Sequence, residues 1–119
     1  MAHAALHFSV GMVTGMGVLA PRVLRALRAR APTAAAIRQW VVAAWLLGVY
    51  ALVPSFLPHI GLPTAVCDGW WINVFLFHPL LNVLIPRGTL LGELTLLACL
   101  AFQYACVLAA LIRAKRMQV

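Results

Sequence analysis

Three long apolar stretches dominate the chain, and each approaches the length of a membrane-spanning helix. They cover residues 4–20, 40–57 and 89–112 and are separated by segments that are richer in charge, proline and asparagine. About 20 predominantly apolar residues are needed to cross the hydrocarbon core as an α-helix. The pattern therefore predicts an all-α integral membrane protein, with residues 1–119 forming a single membrane domain of three transmembrane helices.

A fourth apolar stretch, residues 70–85, is too short and too interrupted to span a membrane. Asn73, Asn82 and the His78-Pro79 pair divide it. The proline ring removes a backbone donor and breaks or kinks a continuous helix. We therefore predict that this stretch forms a short re-entrant or interfacial helix on the outer side of the membrane.

The basic residues set the expected topology, since cytoplasmic loops carry an excess of lysine and arginine. Five arginines lie in residues 22–38, which we predict to be a cytoplasmic loop, and a second basic cluster lies near residue 113. With both clusters inside, the N-terminus is outside and the C-terminus is cytoplasmic. The expected location is the bacterial inner membrane. The alternative has four crossings and leaves the C-terminal cations outside. The arginines that we expect to contact anionic lipid headgroups are Arg22, Arg25, Arg28, Arg30 and Arg38.

Composition excludes several other classes of protein. Apolar residues make up 65% of the chain and charged residues 9%, which is too little polar surface for a soluble domain. The net charge of +7 could indicate nucleic acid, but no aromatic residues interleave with the arginines of residues 22–38 to stack on bases. We therefore expect no nucleic-acid partner. Two acidic residues and no recognisable nucleophile motif also leave no catalytic set, so we expect no enzymatic activity.

Small and polar residues form a stripe on the first and third predicted spans. On the first span, every fourth residue from His3 to Gly15 lies on one face, which includes a GxxxG motif. Such motifs allow close approach of another helix. We predict that this stripe packs against the similar stripe of the third span. The residues to which we assign helix packing are Gly11, Gly15, Gly92, Cys99, Gln103 and Cys106.

All four histidines lie toward the outer side in this topology, and they form a candidate ligand set. His3 and His7 are four residues apart, which can present two imidazoles to one metal ion. His59 and His78 would approach from the two later outer segments. A metal ion, haem or a chlorophyll-type pigment would suit these ligands, although the sequence requires none of them.

Two short segments resemble those of small bacterial membrane-bound metal-dependent hydrolases. His7 and Gly11 form an HxxxG pattern at the start of the first span, and residues 54–59 resemble the family's Pro-Asp-x-Asp-His segment. Here Ser55 replaces the first acid, the second acid is missing, and the spacing to His59 differs by one. The resemblance implies a metal site with an incomplete ligand set, and we do not assign the chain to that family.

These patterns lead to three functional hypotheses. The first is a small accessory or structural subunit of a larger multi-subunit membrane complex, of the energy-converting, pigment- or haem-containing kind, with other integral membrane subunits and lipids as partners. The second is a metal- or haem-binding membrane protein with outer histidine ligands. The third is a component of a small oligomeric transporter, whose wet path would be lined by Asn73, Asn82, Glu93 and Gln103.

The topology can be tested by cysteine labelling in a background that lacks Cys67, Cys99 and Cys106. A membrane-impermeant maleimide added from the periplasmic side should label a His59→Cys variant and leave an Ala34→Cys variant unlabelled. The physical reason is that residue 59 follows the second span on the outer side, whereas residue 34 lies in the basic segment. The reverse labelling pattern would overturn the topology.

Overall fold

The computed structural model of the chain describes residues 4–67, 69–76, 78–85 and 89–117, apart from the side chains of His78 and Thr89. Within these residues 89% are helical and no strand occurs. Three long helices account for most of them: α1 (Ala4–Arg28), α2 (Ala34–Phe56) and α5 (Thr89–Met117). All three are long and apolar enough to cross a membrane. The predicted all-helical class with three candidate spans is therefore confirmed.

The connection between α1 and α2 is much shorter than the basic segment predicted from the sequence. Helix α1 continues to Arg28 and α2 begins at Ala34, so only residues 29–33 join them. Most of residues 22–38 is thus helical rather than loop. Arginine, leucine and alanine all have high helix propensity, and Pro21 lies inside α1 without ending it.

Helix α1 ends in a Schellman motif with an arginine where glycine is usual. The amide of Ala31 donates to the carbonyl of Ala26 (3.1 Å), and that of Arg30 donates to Leu27 (3.2 Å). Arg30 itself has a φ of 52°, in the left-handed region. These two hydrogen bonds satisfy carbonyls of the last helical turn and reverse the chain into α2.

Helices α1 and α2 form an antiparallel pair whose backbones approach closely at two glycines. A Cβ atom on Gly11 would collide with the carbonyl of Leu47 and lie 2.6 Å from the Cα of Gly48. A Cβ on Gly15 would lie 2.6 Å from the Cα of Ala44. These separations leave no room for a side chain, so the GxxxG motif is the contact surface of α1 for α2.

This pairing corrects the prediction that the glycines of the first span pack against the third span. Helix α5 approaches α1 elsewhere, at Gly92, where a Cβ would lie 2.5 Å from the amide nitrogen of Leu6. The three helices then share a small buried cluster of Met12, Ala44 and Cys99. The close-packing partner of Gly11 and Gly15 is α2 because α2 offers small residues directly opposite them.

The segment between α2 and α5 forms short helices, and none of those described is long enough to span a membrane. A 3₁₀ helix, Leu57–Ile60, extends α2, and α3 (Thr64–Cys67) follows. A second 3₁₀ helix, Trp70–Val74, then precedes α4 (His78–Leu84). Ile72 is fully buried, so the predicted short segment of residues 70–85 packs onto the bundle.

The hydroxyl of Tyr50 attaches this segment to α2. It donates to the carbonyl of Val74 at 3.2 Å, and the ring of Tyr50 lies 4.8 Å from that of Phe75. Tyr50 is six residues before the end of α2, or about 9 Å along its axis. The segment therefore reaches past the end of the helix rather than lying wholly beyond it.

We expect Gly11→Ala to destabilise the fold by about 1–3 kcal/mol, because the new methyl group must push two helix backbones apart. Gly17→Ala is the matched control, since a Cβ there would meet nothing within 4 Å. That control should be neutral or stabilising by up to about 1 kcal/mol, because alanine is the better helix former. Reversible unfolding in mixed micelles, followed by tryptophan fluorescence, measures the free energy of unfolding of both variants. Equal stability of the two variants would contradict the packing described here.

Candidate functional site

The predicted ligand His7 is a buried structural link between α1 and the short helix α4. Its side chain is 1% exposed, and its Nε2 atom donates to Oδ1 of Asn82 at 3.0 Å. An amide oxygen only accepts hydrogen bonds, so Nε2 carries a proton in this arrangement. The contact spans 75 residues of sequence and holds α4 against the first turns of α1.

The described residues do not assemble a metal centre. No group of three histidine, cysteine or acidic side chains within them is placed to hold a metal ion. His59 is exposed on the 3₁₀ helix Leu57–Ile60. His3 and the side chain of His78 lie outside the described residues. Of the four predicted ligands, the structure thus places two side chains, and His7 is engaged by Asn82.

A second buried polar contact joins α2 to α5. The indole nitrogen of Trp45 donates to Oε1 of Gln103 at 3.2 Å. Gln103 is 5% exposed, and its amide nitrogen has no hydrogen-bond partner among the described residues. The predicted packing role of Gln103 therefore includes a polar contact. One turn further along α5, the predicted packing residue Cys106 is partly buried.

The four residues of the hypothetical transport path are not brought together. Glu93 is exposed whereas Gln103 is buried, and the Asn82 carboxamide is used by His7. Asn73 makes local contacts: it donates to the carbonyl of Trp70 at 3.0 Å and accepts from the amide of Leu80 at 3.4 Å. These positions give no support to a shared polar path within one copy of the chain.

The five arginines predicted to meet lipid headgroups are all exposed at the end of the bundle where α1 leads into α2. Arg25 donates from Nε to the carbonyl of Pro21 at 3.3 Å. Because α1 continues through Arg28 and α2 begins at Ala34, four of the five extend from helical turns, and only Arg30 lies in the connection. Contact with headgroups remains a prediction.

Helix α5 has much less of its surface covered than the other two long helices. In its most apolar stretch 11% of residues are buried, against 33% in α1 and 28% in α2. One exposed face of α5 carries two polar side chains, Glu93 and Tyr104, which are 11 residues or about three turns apart. Tyr104 is 72% exposed, and its hydroxyl has no hydrogen-bond partner among the described residues.

Two features of this arrangement were missed from the sequence. The first is the row of small residues on α2 (Ala44, Gly48 and Ala51), all buried; its spacing of four and then three residues is the available signal. The second is the exposed hydroxyl of Tyr104. The sequence pattern alone does not separate this tyrosine from the aromatic residues that are common at membrane interfaces. No protein-family model, curated protein or solved structure matches the chain.

A double-mutant cycle tests the link between α1 and α4. We expect His7→Ala and Asn82→Ala to be coupled by about 0.6–1.7 kcal/mol of unfolding free energy, between the average and the maximum found for hydrogen bonds between membrane helices. The matched control pairs His7→Ala with Asn73→Ala, whose contacts are local, and its coupling should be close to zero. Equal coupling in the two cycles would show that the His7–Asn82 hydrogen bond does not hold α4 to α1.

Proposed function

We propose that the chain is a small accessory or structural subunit of a larger membrane complex, and that the Glu93–Tyr104 face of α5 contacts a partner helix. By this face we mean the exposed side chains Glu93, Leu97, Tyr104, Leu108 and Leu111, which are separated by intervals of three, four or seven residues. The observation that carries the proposal is the exposure of two polar groups on an otherwise apolar helix face.

The cost of leaving these groups in lipid favours a partner. Tyr104 lies 15 residues after the start of α5 and 13 before its end, which places it near the middle of the helix. A hydroxyl moved from water to an apolar medium without a hydrogen bond costs about 1–3 kcal/mol on the scale of protein mutations. Acidic residues within a span usually face protein or a wet cavity. Two polar groups on an adjacent helix, spaced about three turns apart, would satisfy both side chains.

The proposal includes a location and a topology. In the proposed arrangement the chain lies in the bacterial inner membrane, with the N-terminus outside and the basic end of the bundle in the cytoplasm. The distribution of arginines supports this orientation. The expected partners are other integral membrane subunits and anionic lipids, and no catalytic step is assigned to the chain. A bound haem, pigment or metal ion would then belong to the assembly as a whole.

Extraction from native membranes in a mild detergent tests this proposal directly. Native mass determination should give an assembly well above the 12.9 kDa of the chain, and identification of the co-migrating chains and chromophores would define its process. Recovery of the chain alone, or of a small homo-oligomer, would contradict the subunit role.

The face itself is tested by Tyr104→Phe, which removes one hydroxyl and keeps the ring. If that hydroxyl bonds to a partner, co-purification should weaken by about 3- to 20-fold, equivalent to the 0.6–1.7 kcal/mol of such bonds. Tyr50→Phe is the matched control, because the Tyr50 hydroxyl bonds within the chain to Val74. It should leave the assembly intact. Equal recovery of partners with both variants would exclude this face as the contact.

A further inference from the structure

The cytoplasmic end of the proposed topology contains an apolar cavity between all three long helices. Its volume is about 430 Å³, and side chains of α1, α2 and α5 line it, among them Leu24, Trp40, Phe102, Ala109 and Arg113. Leu24 and Phe102 are 49% and 56% exposed, so the cavity is open to the surroundings rather than sealed. The helices that meet tightly at Gly11, Gly15 and Gly92 thus separate toward this end.

The length of the cavity matches one leaflet of a bilayer. On α5 its lining extends from Phe102 to Arg113, a distance of about 16 Å at 1.5 Å per residue. Half of a hydrocarbon core of about 30 Å is about 15 Å. The apolar lining is therefore about as long as one leaflet is thick, and its basic residue lies at the end where a headgroup would be.

Among the described residues, no acidic side chain lies near the charge of Arg113. The chain has two acidic residues, Asp68 and Glu93. Glu93 is 20 residues from Arg113 along α5, or about 30 Å, and Asp68 lies outside the described residues. Because the cation lines a cavity that is apolar apart from Thr33 and Arg113, a molecule that joins an anionic group to an apolar chain fits both features.

We propose that this cavity binds one anionic phospholipid, with an acyl chain along the apolar lining and its phosphate group at Arg113. This inference adds a ligand site to the proposed subunit role and does not depend on it. Arg113 is not among the arginines that the sequence pattern assigns to headgroups, since it lies on α5 and is placed beside α1 and α2 only by the fold.

A neighbouring groove supplies an internal control. It has a volume of about 300 Å³, shares Ile37 and Ala110 with the cavity, and is lined on its own side by Arg38 and Ala114. Ala109 lines the larger cavity alone, and Ala114 lines the groove alone. A bulky residue at either position fills one space and leaves the other open.

Native mass spectrometry of the full chain, in micelles containing equal amounts of phosphatidylglycerol and phosphatidylethanolamine with identical acyl chains, tests the proposal. We expect a complex with one retained phospholipid and a preference of about fivefold for phosphatidylglycerol. That preference corresponds to about 1 kcal/mol for one basic residue near an anionic headgroup. Equal retention of the two lipids by the wild-type chain would by itself overturn the assignment of an anionic phospholipid to the cavity.

Two pairs of variants locate the site. Arg113→Gln should abolish the preference, whereas Lys115→Gln, which removes the same charge from an exposed position on the same helix, should preserve it. Ala109→Trp should reduce retention of either lipid by filling the cavity, and Ala114→Trp should not. Circular dichroism confirms that each variant remains helical. Loss of retention with Ala114→Trp alone would assign the lipid to the neighbouring groove, and a cavity occupied by a co-purified protein segment would also refute the proposal.

Discussion

The close approach of α1 and α2 is the contact on which the rest of the structure depends. In lipid, the acyl chains are as apolar as the side chains, so an apolar side chain gains little by moving from lipid to another helix. Helices therefore associate through packing and hydrogen bonds rather than through the hydrophobic effect. Gly11 and Gly15 allow the two backbones to touch at Leu47, Gly48 and Ala44. This contact fixes the rotation of α1, and that rotation brings His7 into the bundle and Met12 against Cys99.

Helix α5 is added to this pair by fewer and more polar contacts. Gly92 meets the backbone of α1 at Leu6, and Gln103 accepts a hydrogen bond from Trp45 of α2. The ring of Trp40 packs edge-on against that of Phe102, with centroids 5.9 Å apart. A polar contact of this kind fixes the register of α5 but adds little stability, because the hydrogen bonds between membrane helices average only about 0.6 kcal/mol.

The sequence was sufficient for the number of candidate spans, since apolar length alone determines that a helix can cross a membrane. It also predicted that residues 70–85 do not form a long helix, because Pro79 and the polar residues interrupt the apolar run. It did not determine which helices meet. The small residues of the first and third spans led to the prediction that these two spans pack together. Ala44 and Gly48 of the second span looked like ordinary members of an apolar helix. Small residues indicate that a close contact exists, but only the three-dimensional arrangement identifies the partner.

The predicted end of the first helix was wrong for a related reason. Arginine is common at membrane boundaries and also has high helix propensity, so α1 continues to Arg28.

The uneven packing of α5 connects the two proposals physically. One end of the helix is held at Gly92 and by the buried cluster around Cys99, whereas the other end, from Phe102 to Arg113, stands beside a cavity. A lipid in that cavity and a partner that contacts Tyr104, Leu108 and Leu111 would act on the same less covered half of α5 from different sides. If both bind best to one orientation of the helix, each must increase the affinity for the other by the same factor, since coupling between two ligands is reciprocal. The lipid would then help to set the shape of the surface that the partner recognises, and a subunit of this size could be sensitive to membrane composition through one helix.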